Sequence, residues 1–179
     1  MRMFSFVLFL LYICAGPASA WTEYNYLDQG VAIQFPVKPE AKRSTYDSIY
    51  GKDLPSMVYT AEDDHVRYSL TAVDVAARPD IRPDMGTNFV NEVAYWLIRK
   101  GDVLFTDYPR VYQGERSIFG VTLVVDREDD TRARTSVFYH KGKLYIVEAI
   151  VLPTRSDKDM TTPSRYDQTI RFPPDGRFD

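Results

Sequence analysis

Apolar and polar residues alternate along most of the chain, and only two stretches break into a longer period. Runs 21–27 and 31–35 flank Asp28-Gln29-Gly30, whose glycine can take positive φ, so they predict an N-terminal hairpin. Pro36 and Pro39 end it. Residues 40–54 are polar and irregular, and predict a surface excursion or weak strand anchored by Tyr46, Ile49 and Tyr50. Runs 57–61 and 66–75 then flank Glu62-Asp63-Asp64-His65. In the second, Val66, Tyr68, Leu70 and Ala72 alternate with Arg67, Ser69 and Thr71, the pattern of a half-buried antiparallel strand.

After a proline-punctuated loop at 76–83, apolar residues recur at steps of three and four: Met85, Phe89, Val93 and Trp96. This predicts an amphipathic helix over 84–100 with Trp96 buried beneath it, Asp84 as N-cap, and Lys100-Gly101 supplying a cation and a left-handed end. The C-terminal half returns to strands at 103–106, 110–115, 118–126, 131–140 and 143–152. Arg127-Glu128-Asp129-Asp130 joins one pair, and the two residues Lys141-Gly142 join the next. Run 144–152 is apolar on both alternating faces apart from Glu148, which predicts a central strand covered on both sides. Pro153 ends it, a short helix at 161–169 capped by Thr161 or Thr162 follows, and Ile170-Arg171-Phe172 forms a last anchor.

The N-terminus is of another kind. Met1-Arg2-Met3 precedes a nearly unbroken apolar run that Gly16-Pro17 interrupts well short of the roughly 20 residues a spanning helix needs. Ala18-Ser19-Ala20 places small residues where a signal peptidase requires them, so residues 1–20 read as a cleavable export signal and 21–179 as a single α/β globular domain. Cys14 raises the rival reading of a lipid anchor, but bulky Ile13 precedes it where such sites carry a small residue, so no membrane anchor is expected after processing. Losing the leader removes the only cysteine and, with Arg2, takes the basic count from 22 to 21 against 25 acidic residues. A disulfide-free exported domain of this size points to a bacterial periplasm or exterior. The mild acidity, with no Lys/Arg block, argues against nucleic acid as a partner.

Trp21-Thr22-Glu23-Tyr24, the Val31-Ala32-Ile33-Gln34-Phe35-Pro36 strand-to-proline step, and the Gly142-Lys143-Leu144-Tyr145-Ile146-Val147-Glu148-Ala149 strand followed by a Pro-Ser-Arg-Tyr helix form a set. Together they resemble small exported bacterial proteins of the PsbP/Mog1-like α/β sandwich group. The likeness spans most of the chain and fits 37–56 least well. It implies an α+β fold: a bent, mainly antiparallel sheet with the 84–100 helix on one face and the closing helix on the other. It also implies a protein that is not an enzyme, since most of the group are not.

Few residues offer chemistry. His65 and His140 each sit beside a hairpin turn with no Gly-x-Ser-x-Gly elbow, so exposed loop histidines are expected and no catalytic residue is assigned. Asp63, Asp64 and His65 read as a charged turn, or as part of a metal site if another acidic group folds beside them. Asp126-Arg127-Glu128-Asp129-Asp130 lacks calcium-loop spacing and reads as a solvated hairpin tip. No cofactor or metal is expected. Tyr24, Tyr26, Tyr59, Tyr68, Tyr139 and Tyr145 fall in strands, where sheet packing accounts for them ahead of a ligand face. Glu148 is the anomaly, because an unpaired carboxylate on an apolar strand face would lose its hydration. Its expected partner is Arg134 or Arg116, as an ionised pair, or a tyrosine hydroxyl.

These readings lead to a non-enzymatic periplasmic or secreted domain that binds a protein or envelope component. The alternative is a small-molecule or lipid-binding module with a pocket between sheet and helix. Intact-mass spectrometry of the native protein should find its first residue at Trp21 with no acyl chain, and a start at an acylated Cys14 would refute this.

Overall fold

The computed structural model describes residues 21–78, 80–153 and 158–174, so the expected leader 1–20 and its cleavage site lie outside the described residues. The hairpin forms as expected, β1 (Thr22–Tyr26) against β2 (Val31–Phe35), with Tyr24 opposite Ile33. The polar stretch after it is no excursion. β3 (Glu40–Ser48) and β4 (Gly51–Glu62) form a long hairpin, Glu40 opposite Thr60 and Tyr46 opposite Leu54. β3 lies at the sheet edge with nearly every side chain in water, so it has no apolar alternation to read, and ladder bonds to β4 hold it. Pro55 is accommodated because β4 takes its second neighbour only from Ser56 onward. Tyr46 and Tyr50 pack inward as expected, whereas Ile49 is 77% exposed.

β5 (Val66–Asp74), β6 (Gly101–Asp107), β7 (Arg110–Gln113), β8 (Arg116–Arg127), β9 (Arg132–His140) and β10 (Lys143–Val151) complete the sheet. Its order is β3-β4-β5-β10-β9-β8-β6, with β7 also on β8, and every pairing is antiparallel. β10 is therefore central, as its two apolar faces require. On one side Tyr145, Val147, Ala149 and Val151 join β2, the inward residues of β5, and the helix α2 (Thr161–Gln168), whose Tyr166 is fully buried. On the other side Leu144 meets the helix α1 (Gly86–Ile98). Ile170 and Phe172 anchor the chain after α2, where Arg171 bridges Ala32.

α1 sits differently from its predicted setting. A turn of 3-10 helix, Pro83–Met85, precedes it, so Asp84 is not the cap; Met85 takes that position and makes no side-chain capping bond. The buried stripe is Gly86, Phe89, Val93 and Leu97, which leaves Trp96 54% exposed. Gly86 explains the rotation: a Cβ there would drive into the Tyr139 ring, so the helix start lies flat on β9. With Phe89 and Val93 on the same line, the 100° per residue of a helix brings Leu97 under and turns Trp96 out. The end also differs. Arg99 is right-handed at the C-cap, and Gly101 opens β6 because a Cβ there would collide with the Asp126 carbonyl. α2 likewise uses neither expected cap, since Thr161 is its first residue and donates from N–H and hydroxyl to Asp159 Oδ1 (3.0 and 2.7 Å).

Truncating Phe89 to Ala should cost about 3–5 kcal/mol, the range for a large aromatic lost from a core. Trp96→Ala should cost under about 1 kcal/mol, as expected for an exposed side chain. Urea unfolding of both variants checks the inverted ranking.

Candidate functional site

The strand order sorts the suspected residues by parity. The turn Lys141-Gly142 sets Leu144 opposite Tyr139 and therefore Glu148 opposite Thr135 and Ala149 opposite Arg134. Arg134 thus projects to the face away from Glu148 and cannot be its partner. It donates from Nε to Asp167 Oδ2 at 2.7 Å, beside the Ser136 hydroxyl at 2.6 Å from the same oxygen. Ser136 in turn shares a 2.6 Å hydrogen bond with Thr122, so this buried network ties α2 to β9 and β8. Burial raises the Asp167 carboxyl above the usual value, and the bonds from Ser136 and Arg134 offset only part of that. Arg116, the other expected partner, is exposed at the far end of β8.

Glu148 pairs instead with Arg127. Arg127 Nη2 donates to Glu148 Oε1 at 2.5 Å and Thr135 Oγ1 to the same oxygen at 3.0 Å. The guanidinium comes from β8, two strands away, with small Ala133 of β9 between them in the sheet. Both side chains are largely buried, at 18% and 20% exposure, and Arg127 Nε is buried without a partner among the described residues. The pair is a salt bridge that leaves Arg127 incompletely satisfied.

This pair lines a cleft of about 680 Å³ between the C-terminal half of α1 and the sheet. Val93, Leu97 and Ile146 supply its apolar surface, and Trp96 and Lys100 stand along α1, the Lys100 ammonium 4.4 Å from the Trp96 ring centroid. Tyr46 lines it too; burial, with the charge of Glu92, pushes its hydroxyl pKa up to about 12. Glu92 itself ties α1 to the β3–β4 turn, accepting from Ile49 N–H at 2.8 Å and from the Ser48 hydroxyl. Nothing in the sequence pattern marked Arg127, Trp96 and Glu148 as neighbours. The one available signal was the two-residue turn, whose register already excluded Arg134.

The remaining suspects serve the fold. Asp63 Oδ1 accepts from the N–H groups of His65 and Val66 (2.9 and 2.8 Å) and its Oδ2 from Tyr68 (2.8 Å), closing the β4–β5 turn. Asp64 and His65 are exposed beside it. His140 is not the exposed loop residue expected. It packs on Phe172 with Nε2 buried, and burial, aided by Lys141 and Arg116, lowers its pKa. His65 and His140 lie at opposite ends of β10, beside Leu152 and Lys143. In the acidic tip, Asp126 chelates Arg132 (2.6 and 2.8 Å) and Asp130 holds Lys158 (2.6 Å). No group of three metal-ligating side chains gathers among the described residues. Of the strand tyrosines, Tyr68 and Tyr145 are buried and Tyr26 stacks on Tyr59 at 3.7 Å, all on the α2 face and none in the cleft.

The solution structure of cyanobacterial PsbP (CyanoP) from Synechocystis sp. PCC 6803 aligns with 90% of this chain and 98% of its own, with TM-score 0.51 and 14% identity. The fold is PsbP-like. At that identity the likeness concerns architecture alone, which is the architecture the resemblance in the sequence implies. No family model matches this chain, and no curated protein matches it. No helix among the described residues is long and apolar enough to cross a membrane.

The raised Asp167 pKa means the fold holds that proton more tightly than the unfolded chain does. Its contribution to stability should be complete below the unfolded value of about 3.9 and fade as pH rises through the folded value. A carboxyl NMR titration should place the Asp167 midpoint above about 3.9; a midpoint below it would show Arg134 outweighing burial.

Proposed function

We propose that the protein is a non-enzymatic exported domain that holds a protein partner of the cell envelope along one open edge of its sheet. The observation that carries this reading is the contrast between the two edges. β3 presents Glu40, Lys42, Arg43 and Asp47, the charges by which proteins discourage strand addition. β6 presents Val103, Leu104 and Phe105, all exposed, and among the described residues no strand pairs with its outer side. β7 continues the same side of β8 beyond Tyr108-Pro109, adding Tyr108 and Tyr112, exposed at 72% and 71%.

Behind this edge a groove of about 820 Å³ runs between α1 and β8, with Ile98, Phe119 and Val121 in its lining. An extended apolar segment of a partner would gain ladder bonds from β6 and seat a side chain in the groove. Catalysis has less to support it, because Glu148 and Arg127 pair with each other and the histidines stand apart.

A photo-crosslinking residue at position 104 should trap one partner in the native envelope, while the same residue at position 42 should not. Leu104→Lys should leave stability within about 0.5 kcal/mol, as for other exposed sites, and abolish the adduct formed from position 103. Equal adducts from both edges, or adducts indifferent to Leu104→Lys, would defeat the reading.

A further inference from the structure

The cleft beside α1 is separate from the β6 edge and has a chemistry of its own. Its volume, about 680 Å³, is that of a ligand pocket, and it combines an apolar surface with an exposed indole. Its charge is one-sided: five carboxylates, on Asp47, Glu92, Glu128, Asp129 and Glu148, face two cations, Lys100 and Arg127. Two of the five are engaged on both oxygens: Glu92 by Ser48 and Ile49, Asp47 by Asp53 and Lys52. Three retain acceptor capacity, Asp129 using only Oδ1, on Thr131. Glu128 makes no hydrogen bond or ion pair among the described residues, and Glu148 uses only Oε1.

The chain supplies its own precedent for what such a cleft holds. The Lys100 ammonium already rests over the Trp96 ring at 4.4 Å, the position a cation takes on an aromatic face. We propose that the cleft binds an alkylammonium group, its methylenes against Val93, Leu97 and Ile146, its charge beside Trp96 and its N–H donors on Glu128 and the free oxygen of Glu148. Lys100 is then an internal surrogate that the incoming amine displaces from the ring. An anion is disfavoured by the excess of carboxylates, and a neutral lipid chain would leave Glu128 and the free oxygen of Glu148 desolvated without a donor. The same group is offered by a free polyamine and by a lysine side chain of a peptide.

Calorimetric titration of the 21–179 chain with spermidine and with the peptide acetyl-Ala-Lys-Ala-amide, at low salt, tests this, with the Trp96 indole N–H followed by NMR. Saturable binding that moves the Trp96 resonance is expected, and the tighter of the two ligands identifies the source. Pentanoate should not bind. Glu128→Gln, an exposed change that leaves the core intact, should weaken binding by about threefold or more, while Lys100→Met should tighten it by a similar factor. Glu148→Gln should weaken it further, but only Glu128→Gln is free of effects on the Arg127 pair. Absence of saturable binding by either amine at about 10 mM, the weak limit for a specific site, would overturn the proposal. So would equal binding of pentanoate, or an affinity unchanged by Glu128→Gln. Each of these outcomes leaves crosslinking at β6 unaffected, so this proposal and the edge reading fail separately.

Discussion

The two-sided burial of β10 is the constraint on which the other elements depend. A central strand with Tyr145, Val147, Ala149 and Val151 on one face and Leu144 and Ile146 on the other exposes apolar surface to water unless both faces are covered. α2 and the β1–β2 hairpin cover the first face completely. α1 has thirteen residues, about 20 Å of helix, and cannot cover all of the second. The uncovered part of that face carries Thr71, Glu148 and Arg127, residues that tolerate water, and the cleft opens where the helix stops.

Two ion pairs back each other across the sheet and differ in kind. Arg134 and Asp167 lie in the α2 core at 12% and 6% side-chain exposure, with Ser136 and Thr122 extending the network, so their geometry specifies how α2 docks. Arg127 and Glu148 lie at the floor of an open cleft, with one carboxylate oxygen and the buried guanidinium Nε unpaired among the described residues. Asp167 Oδ1 is also without a partner among the described residues, but it is sealed in the core, whereas the Arg127–Glu148 pair opens onto the cleft and can still receive a ligand. The same contrast holds between the charged β3 edge and the apolar β6 edge.

Much was legible in the chain. The N-terminal hairpin, the alternating strand ending at β5, the central position of β10, the tight Lys141-Gly142 turn and both helices follow from periodicity and turn chemistry, because local backbone preference and the tertiary fold agree there. β3 was illegible for a physical reason: an edge strand solvated on both faces has no buried side to impose a period of two. The candidate site was half legible. Glu148 was identifiable as a carboxylate on an apolar face, but its partner lay two strands away in space and depended on side-chain parity.

By itself, then, the sequence determined most of the element types, the buried centre of the sheet and the need of Glu148 for a partner, since each follows from the period and polarity of neighbouring residues. Only the tertiary structure decided which arginine answers that need, which face of α1 points inward and where the sheet is left open. These depend on contacts between residues far apart in the chain: Gly86 against Tyr139, which turns Trp96 into solvent, and the reach of Arg127 to Glu148 across the narrow Ala133. No local pattern encodes such distances, because they exist only once the strands are in register.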